Sequence, residues 1–174
     1  GKQLQFLQSK IIIGILTVTA IAMLVLGYTH QIDFSSLGAA LPVILMSIAL
    51  AVILFAFSYR KSALTAWIYL LTAHLFIIAA VLFNADHIYF LEIVFYVSGV
   101  LVAFLVGYFC LQKIKRIDND ISLNQFHGYV YEQETTGLWF LFAVIGMLGF
   151  PVMAAFIGLD VLFTYVHRYQ PVFI

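Results

Sequence analysis

The chain has 174 residues, of which 64% are hydrophobic and 9% are charged, and its formal net charge is zero. Soluble proteins carry about 25% charged residues, so this composition excludes a soluble globular domain and indicates an integral membrane protein. The few basic residues do not form the patch that a phosphate backbone requires, which excludes nucleic acid as a partner. The single cysteine, Cys110, excludes an internal disulfide.

Two apolar runs open the chain. Residues 11–28 are long enough to cross a membrane once, and Thr17 and Thr19 are their polar side chains before the terminal tyrosine. Residues 37–59 form the second predicted span, which ends at the basic pair 60–61. Neither run carries a recognisable chemical motif, so we predict that both are plain membrane spans.

The third predicted span covers residues 62–83. Thr65, Tyr69 and Thr72 follow one another at spacings of four and three, which places them on one helix face that should look into protein. His74 lies near the middle of the span, where an ionisable side chain is costly and often functional. It is either a proton relay or a neutral histidine that is hydrogen-bonded to a backbone carbonyl or to Tyr69.

The fourth predicted span covers residues 88–111. Glu92 lies about one turn into it, as either a proton relay or a carboxylate that is hydrated or held at an interface. Gly99, Ala103 and Gly107 recur at every fourth position, and such a stripe of small side chains lets another helix approach closely. The stripe predicts helix packing.

Residues 112–136 form a polar linker. If the spans alternate in direction, the lysines and arginines of segments 1–10, 60–61 and 112–136 fall on one side of the membrane. The positive-inside rule makes this the cytoplasmic side, or the matrix side in an organelle. We therefore predict a multi-pass protein of the cell inner (plasma) membrane.

The last apolar element covers residues 137–167 and is interrupted by Gly146, Gly149 and Pro151. An unbroken helix of this length would be about 46 Å long, whereas the hydrocarbon layer is about 30 Å thick, so part of the element must unwind or lie outside. Proline removes a backbone donor, and carbonyls near Met147 should therefore lose partners. Broken helices of this kind mark ion and substrate pathways in transporters.

Asp160 follows the interruption, and Thr164 and His167 lie on the same helix face. This face could carry a proton path in which Asp160 accepts a proton and His167 passes it to the surface. The alternatives are a pair between Asp160 and a basic residue of a neighbouring subunit, and a carboxylate that is hydrated near the membrane surface.

Metal and cofactor sites find little support. Haem held between spans needs histidines at matching depths, and only His74 is deep, because the other four histidines lie near span ends. His127, Glu132 and Glu134 have a spacing that zinc could use but match no zinc motif. We therefore predict no metal, no cofactor and no catalytic site in the chain itself.

Residues 149–160, GFPVMAAFIGLD, resemble a known signature. It belongs to the antiporter-like membrane subunits of respiratory complex I, of membrane-bound hydrogenases and of multisubunit sodium/proton antiporters, with relatives in inorganic-carbon uptake. The family pattern is Gly-x-Pro-Pro, two or three residues, Gly-Phe, two more, and then a Lys or Glu. Gly149, Pro151, Phe156 and Gly158 match it without a gap.

Three positions depart from that pattern. Val152 replaces the second proline, Ala155 replaces the family's glycine, and Leu159 stands where the family carries its ion-translocating Lys or Glu. Asp160 matches an acid that follows the lysine in one branch. Weaker similarity covers the basic pair 60–61 with the helix that follows it, and the loop before the broken helix.

The resemblance implies an all-α bundle of about five transmembrane helices, the last one discontinuous, which forms a single transmembrane domain over residues 1–174 and is the C-terminal half of a larger subunit. It implies a proton- or cation-translocating subunit that binds no cofactor and works in the lipid bilayer with other membrane subunits, with or without a soluble enzyme subunit, while a partner carries out the driving reaction. The alternative is a non-conducting scaffold that anchors a soluble enzyme, as in inorganic-carbon uptake. The predicted ion path comprises Asp160, His74, Glu92, Thr164 and His167, and the predicted break comprises Gly149, Pro151 and Gly158.

Overall fold

The computed structural model of the chain describes residues 10–29, 40–84, 90–118, 121–124, 128–151 and 153–160. All regular secondary structure in these ranges is helical. The helices are α1 Lys10–Thr29, α2 Ala40–Ser58, α3 Ala63–Asn84, α4 Phe90–Asp118, the single turn α5 Tyr129–Glu132, and α6 Glu134–Met147. Residues 154–160 are also helical and are called the 154–160 helix below.

Four of the described helices are long and apolar enough to cross a membrane: Ile11–Thr29, Ala40–Ser58, Ala63–Phe83 and Leu91–Asp118. They confirm the coarse prediction of an all-helical membrane protein. Helix α6 has 14 residues and is shorter than the ~20 that a full crossing needs. A fifth, interrupted span therefore stays a prediction, since residues 161–167 lie outside the described ranges.

Helix α4 extends beyond its predicted end at residue 111, as far as Asp118. Its last turn contains Lys115 and Arg116. Basic side chains near a helix C-terminus interact favourably with the helix dipole, and lysine and arginine are good helix formers. The apolar run therefore ends before the helix does, and residues 112–118 of the predicted polar linker are helical.

The chain groups into two compact units, of which the first comprises Gly1–Tyr59 with Ile68–Ile88. Its core lies where α1, α2 and most of α3 meet. Phe76 and Leu45 are almost completely buried there, and Ala20, Ala49 and Ala79 lie between the larger side chains. Alanines at these positions let the three helices approach closely.

The second unit comprises Arg60–Trp67 with Tyr89–Ile174. Within it, α6 and the 154–160 helix follow α4 in the opposite direction. A Cβ atom added to Gly146 would lie 2.8 Å from Ala103 Cβ, whereas one added to Gly158 would lie 2.8 Å from the Glu92 carbonyl oxygen. As the residue number rises from 146 to 158, the α4 residue in contact falls from 103 to 92, so the chain runs antiparallel along α4.

The beginning of α3 is tied to the linker in the second unit. The Ala63 N–H donates to the Ile121 carbonyl at 3.0 Å, and the Leu123 N–H donates to the Arg60 carbonyl at 2.7 Å. The Arg60 guanidinium also donates to the Leu123 carbonyl at 3.0 Å. These bonds hold residues 121–123 against the basic pair 60–61.

Candidate functional site

The interruption after α6 begins with a helix cap that is hydrogen-bonded to the last turn of the helix. Gly149 has a φ of 66°, in the left-handed region that glycine enters without steric cost. The Gly149 N–H donates to the Gly146 carbonyl at 3.2 Å, and the Phe150 N–H donates to the Ile145 carbonyl at 3.2 Å. This pair of bonds, with glycine between them, is the Schellman arrangement that satisfies the last carbonyls of a helix.

Pro151 follows this cap by two residues, where it prevents α6 from continuing. The Met147 carbonyl would bond to the N–H of residue 151 in an unbroken helix, and proline has none. The expected loss of partners is therefore smaller than the sequence indicated, because the cap itself satisfies the carbonyls of Ile145 and Gly146.

Leu159 folds back onto this cap. A Cβ atom added to Gly149 would lie 3.3 Å from Leu159 Cδ2, so the leucine side chain lies beside the place that a side chain at position 149 would take. Leu159 is half-buried, whereas its neighbour Asp160 is exposed. An apolar side chain thus occupies the position that faces the interruption.

The 154–160 helix lies directly against α4. A Cβ atom on Gly99 would overlap the backbone of Ala155, and one on Gly158 would lie 2.7 Å from the Tyr96 nitrogen. Both glycines are therefore needed for close approach. Gly158 was predicted to be part of the break, but it lies inside a helix, because its missing side chain makes room for α4 rather than for a turn.

This packing brings the predicted acids Glu92 and Asp160 to the same end of the second unit. Gly158 contacts the backbone of Glu92, and Asp160 is two residues, or about 3 Å of helix rise, further along. Glu92 is half-buried and Asp160 is exposed. The candidate span of α4 starts at Leu91, so both acids lie at its beginning, at the opposite end from Lys115 and Arg116.

His74 belongs to the first unit, where it is half-buried on α3. Tyr69 and Thr72 of the same helix are buried. The Thr72 hydroxyl of α3 and the Thr17 hydroxyl of α1 are 2.9 Å apart and form a hydrogen bond between the two helices. Sequence reasoning overlooked Thr17, because a lone threonine in an apolar run does not show which helix its hydroxyl will meet.

Each member of the small-residue stripe on α4 lies in a close contact. Gly99 packs against Ala155, Ala103 packs against Gly146, and Gly107 packs against the indole ring of Trp67. The Trp67 indole N–H donates to the Phe104 carbonyl at 3.0 Å. The role of Trp67 was also not evident from the sequence, which offers no signal for a hydrogen bond between two helices.

An open apolar groove of about 510 Å³ runs along the same face of the second unit. It lies between α4 and α6, and Met153 and Ala154 close one end of it. Its lining combines small side chains with the aromatic rings of Trp139 and Phe142, and Ser98 is a polar residue in it. Such a groove accepts an apolar ligand or an apolar side chain.

Several predicted residues cannot be assigned a place. Thr164, His167 and His127 lie outside the described residues. Among the residues that the structure describes, no group of three or more histidine, cysteine, aspartate or glutamate side chains could hold a metal ion. Comparison of the chain with family models, curated proteins and solved structures gives no match. The resemblance to antiporter-like subunits therefore stays a prediction from the motif.

Proposed function

We propose that the protein is a proton- or cation-translocating membrane subunit of a multisubunit complex. The observation that carries this proposal is the contact of Gly158 with the backbone of Glu92, which brings the segment bearing Asp160 to that end of α4. Ionisable residues within membrane spans often mark proton or ion pathways, and two carboxyl groups at one end of an apolar helix can exchange protons with water.

In this proposal, Glu92 and Asp160 exchange protons with water at the membrane face opposite to the basic segments 60–61 and 112–136. Asp160, which is exposed, would exchange protons with water, and Glu92, which is half-buried, would exchange them with Asp160. His74, near the middle of α3, provides a further ionisable group. The complex resides in the cell inner membrane, with the basic segments on the cytoplasmic side.

A flux assay tests the proposal. The complex is reconstituted into liposomes, and proton uptake is followed with a pH-sensitive dye in the parent protein and in Asp160→Asn, Glu92→Gln and His74→Ala. We expect each variant to lower the flux at least tenfold, because neutral side chains cannot release protons. Asp118→Asn is the matched control, since Asp118 is an exposed acid at the other end of α4, and its flux should equal that of the parent. Equal flux in all four variants, with the complex intact, would contradict the proposal.

A second candidate function is a non-conducting scaffold that anchors a soluble enzyme. Leu159 favours it, because this apolar side chain lies beside the Cβ position of Gly149, where the resembled family carries an ionisable side chain. The apolar groove beside α4 would then hold a partner's side chains.

The two functions differ in what a variant of Asp160 does, whereas a groove variant should have the same effect in both. Ala143 is buried on α6 and lines the groove, and Ala143→Leu should reduce copurification of the partner subunits in both cases. Only in the scaffold case should Asp160→Asn leave all activities of the complex unchanged. A loss of flux in Asp160→Asn without loss of partners would therefore reject the scaffold.

A further inference from the structure

The apolar groove beside α4 opens along the side of a candidate membrane span. Its wall on α4 runs from Ser98 to Val106, inside the span Leu91–Asp118. Val102 and Trp139 line it, and each is more than half exposed. The medium around a membrane span is hydrocarbon, and lipid tails are as apolar as leucine side chains. Lipid chains are therefore the molecules that surround the open side of this groove.

The groove has the capacity of one lipid chain. Its volume is about 510 Å³, and an apolar cavity of about 150 Å³ holds one benzene ring. The groove therefore has room for slightly more than three such rings, or about 20 carbon atoms. This is close to the size of one acyl chain of a phospholipid.

Two basic side chains of α4 continue the helix face that lines the groove. Lys113 follows Val102 by 11 residues, which is within about 20° of three full turns. Arg116 follows Val102 by 14 residues, which is within about 40° of four full turns. Both basic residues are exposed. Lys115 is exposed too, but it lies about 160° around the helix from Lys113 and so on the other side of α4.

The distance from the groove to these basic residues matches the depth of one membrane leaflet. Lys113 lies about 16 Å along α4 from Val102, and the chains of one leaflet fill about 15 Å, half of the hydrocarbon thickness. Trp139 lies between these two levels. Gly146 packs against Ala103, and the antiparallel course of α6 places Trp139 about 10 Å nearer to the basic end. Tryptophan is typical of this level, where the membrane meets water.

The acids of α4 and α6 at this end lie on other helix faces. Asp118 follows Lys113 by five residues and lies about 140° around α4 from it. Glu134, the first residue of α6, precedes Trp139 by five residues and lies about 140° around α6 from it. The face that continues the groove therefore carries positive charge, which attracts anionic lipid headgroups.

We propose that this part of the second unit binds one anionic phospholipid, whose acyl chain fills the groove and whose phosphate contacts Lys113 and Arg116. Basic residues beside transmembrane helices hold anionic headgroups in this way. The bound lipid would form part of the surface that neighbouring subunits meet. The site goes beyond both proposed functions and does not depend on proton transport.

Photo-crosslinking locates the lipid. The full complex is reconstituted into phosphatidylcholine vesicles that contain a trace of phosphatidylglycerol with a diazirine in its acyl chain. A parallel sample contains a trace of phosphatidylcholine with the same label. After illumination, mass spectrometry measures the crosslinks to the peptides that contain Val102 and Trp139. We expect at least about fivefold more crosslinking by the anionic lipid, the factor that one basic side chain near the membrane surface contributes.

Matched variants test the two parts of the site. Lys113→Gln should lower crosslinking by the anionic lipid about fivefold, whereas Lys115→Gln removes the same charge from the other side of α4 and should leave it unchanged. Lys113→Arg keeps the charge and should preserve the crosslinking. Val102→Phe fills the groove and should lower crosslinking of the Trp139 peptide by both lipids. Leu101→Phe should not, because Leu101 is exposed outside the groove.

The following results would overturn the lipid site, provided that the complex stays intact on gel filtration. Equal crosslinking by the two lipids in the parent would mean that the headgroup is not recognised. An equal loss in Lys113→Gln and Lys115→Gln would mean that the charge acts on the whole surface. Unchanged crosslinking in Val102→Phe, or no crosslinking of the groove peptides in the parent, would mean that a lipid chain does not fill the groove and that protein is the alternative occupant.

The outcomes are also separate from those of the flux assay. The expected pattern of crosslinking supports the lipid site even if Asp160→Asn leaves the proton flux unchanged and the conduction proposal fails. Conversely, a loss of flux in Asp160→Asn does not rescue the lipid site if the anionic lipid is not preferred.

Discussion

Replacing Gly158 with alanine perturbs the contact that brings the two acids to one end of the second unit. The added Cβ atom would lie 2.7 Å from the Tyr96 nitrogen and 2.8 Å from the Glu92 carbonyl oxygen. Both neighbours are backbone atoms, which cannot rotate away, so the 154–160 helix must shift. Overpacking of this kind costs about 1–3 kcal/mol, whereas glycine to alanine in a helix gains about 1 kcal/mol. Because the neighbours are backbone, we take the upper end and expect a net destabilisation of about 2 kcal/mol.

Gly14 provides the matched control, because it lies within α1 and a Cβ atom added to it meets nothing within 4 Å. Gly14→Ala should therefore show only the gain in helix propensity, up to about 1 kcal/mol. The two alanine variants should thus change stability in opposite directions. Reversible unfolding by a denaturing detergent, followed by circular dichroism, measures both free energies. A Gly158→Ala protein that is as stable as Gly14→Ala would refute the close packing of the 154–160 helix on α4.

Three further predictions concern other contacts. Thr17→Val and Thr72→Val should show a coupling of about 0.6 kcal/mol, and at most about 1.7 kcal/mol, in a double-mutant cycle of unfolding; additive effects would mean that the hydroxyls do not bond to each other. Trp67→Phe should lower the free energy of unfolding by about 1 kcal/mol, since it removes the hydrogen bond to the Phe104 carbonyl but keeps an aromatic ring; an unchanged stability would argue against that bond. Lys113→Cys should react with an impermeant thiol reagent only in inverted vesicles, and reaction only in right-side-out vesicles would reverse the predicted orientation.

The spans and the site of the interruption were visible in the sequence, because both depend on local chemistry. Runs of apolar residues long enough for the bilayer lie close to where the helices lie, and Gly149 with Pro151 acts directly on its own backbone. The hydrogen bonds of the helix cap were harder to predict from the sequence. These two bonds depend on how the chain turns after Gly149, so the sequence did not show that the carbonyls of Ile145 and Gly146 would be bonded.

Contacts between helices were harder to predict, because they depend on how each helix is rotated about its axis. Thr17 and Thr72 are 55 residues apart, and nothing in either apolar run identifies the partner. Glycine is a residue type that weakens helices, yet Gly158 lies inside a helix. Its lack of a side chain lets the 154–160 helix approach α4 closely. Position 159 carries leucine where the resembled family carries Lys or Glu. That this side chain lies beside Gly149 became evident only in the fold.

The double variant Asp160→Asn with Glu92→Gln tests the central proposal most directly, that the two acids form one end of a proton path. Groups that act as one unit are strongly non-additive, so the double variant should transport protons no more slowly than the slower single variant. The rate of proton uptake into liposomes that contain the reconstituted complex measures the flux of each variant. Flux in the double variant equal to that of the parent, with all subunits present, would contradict the proposal.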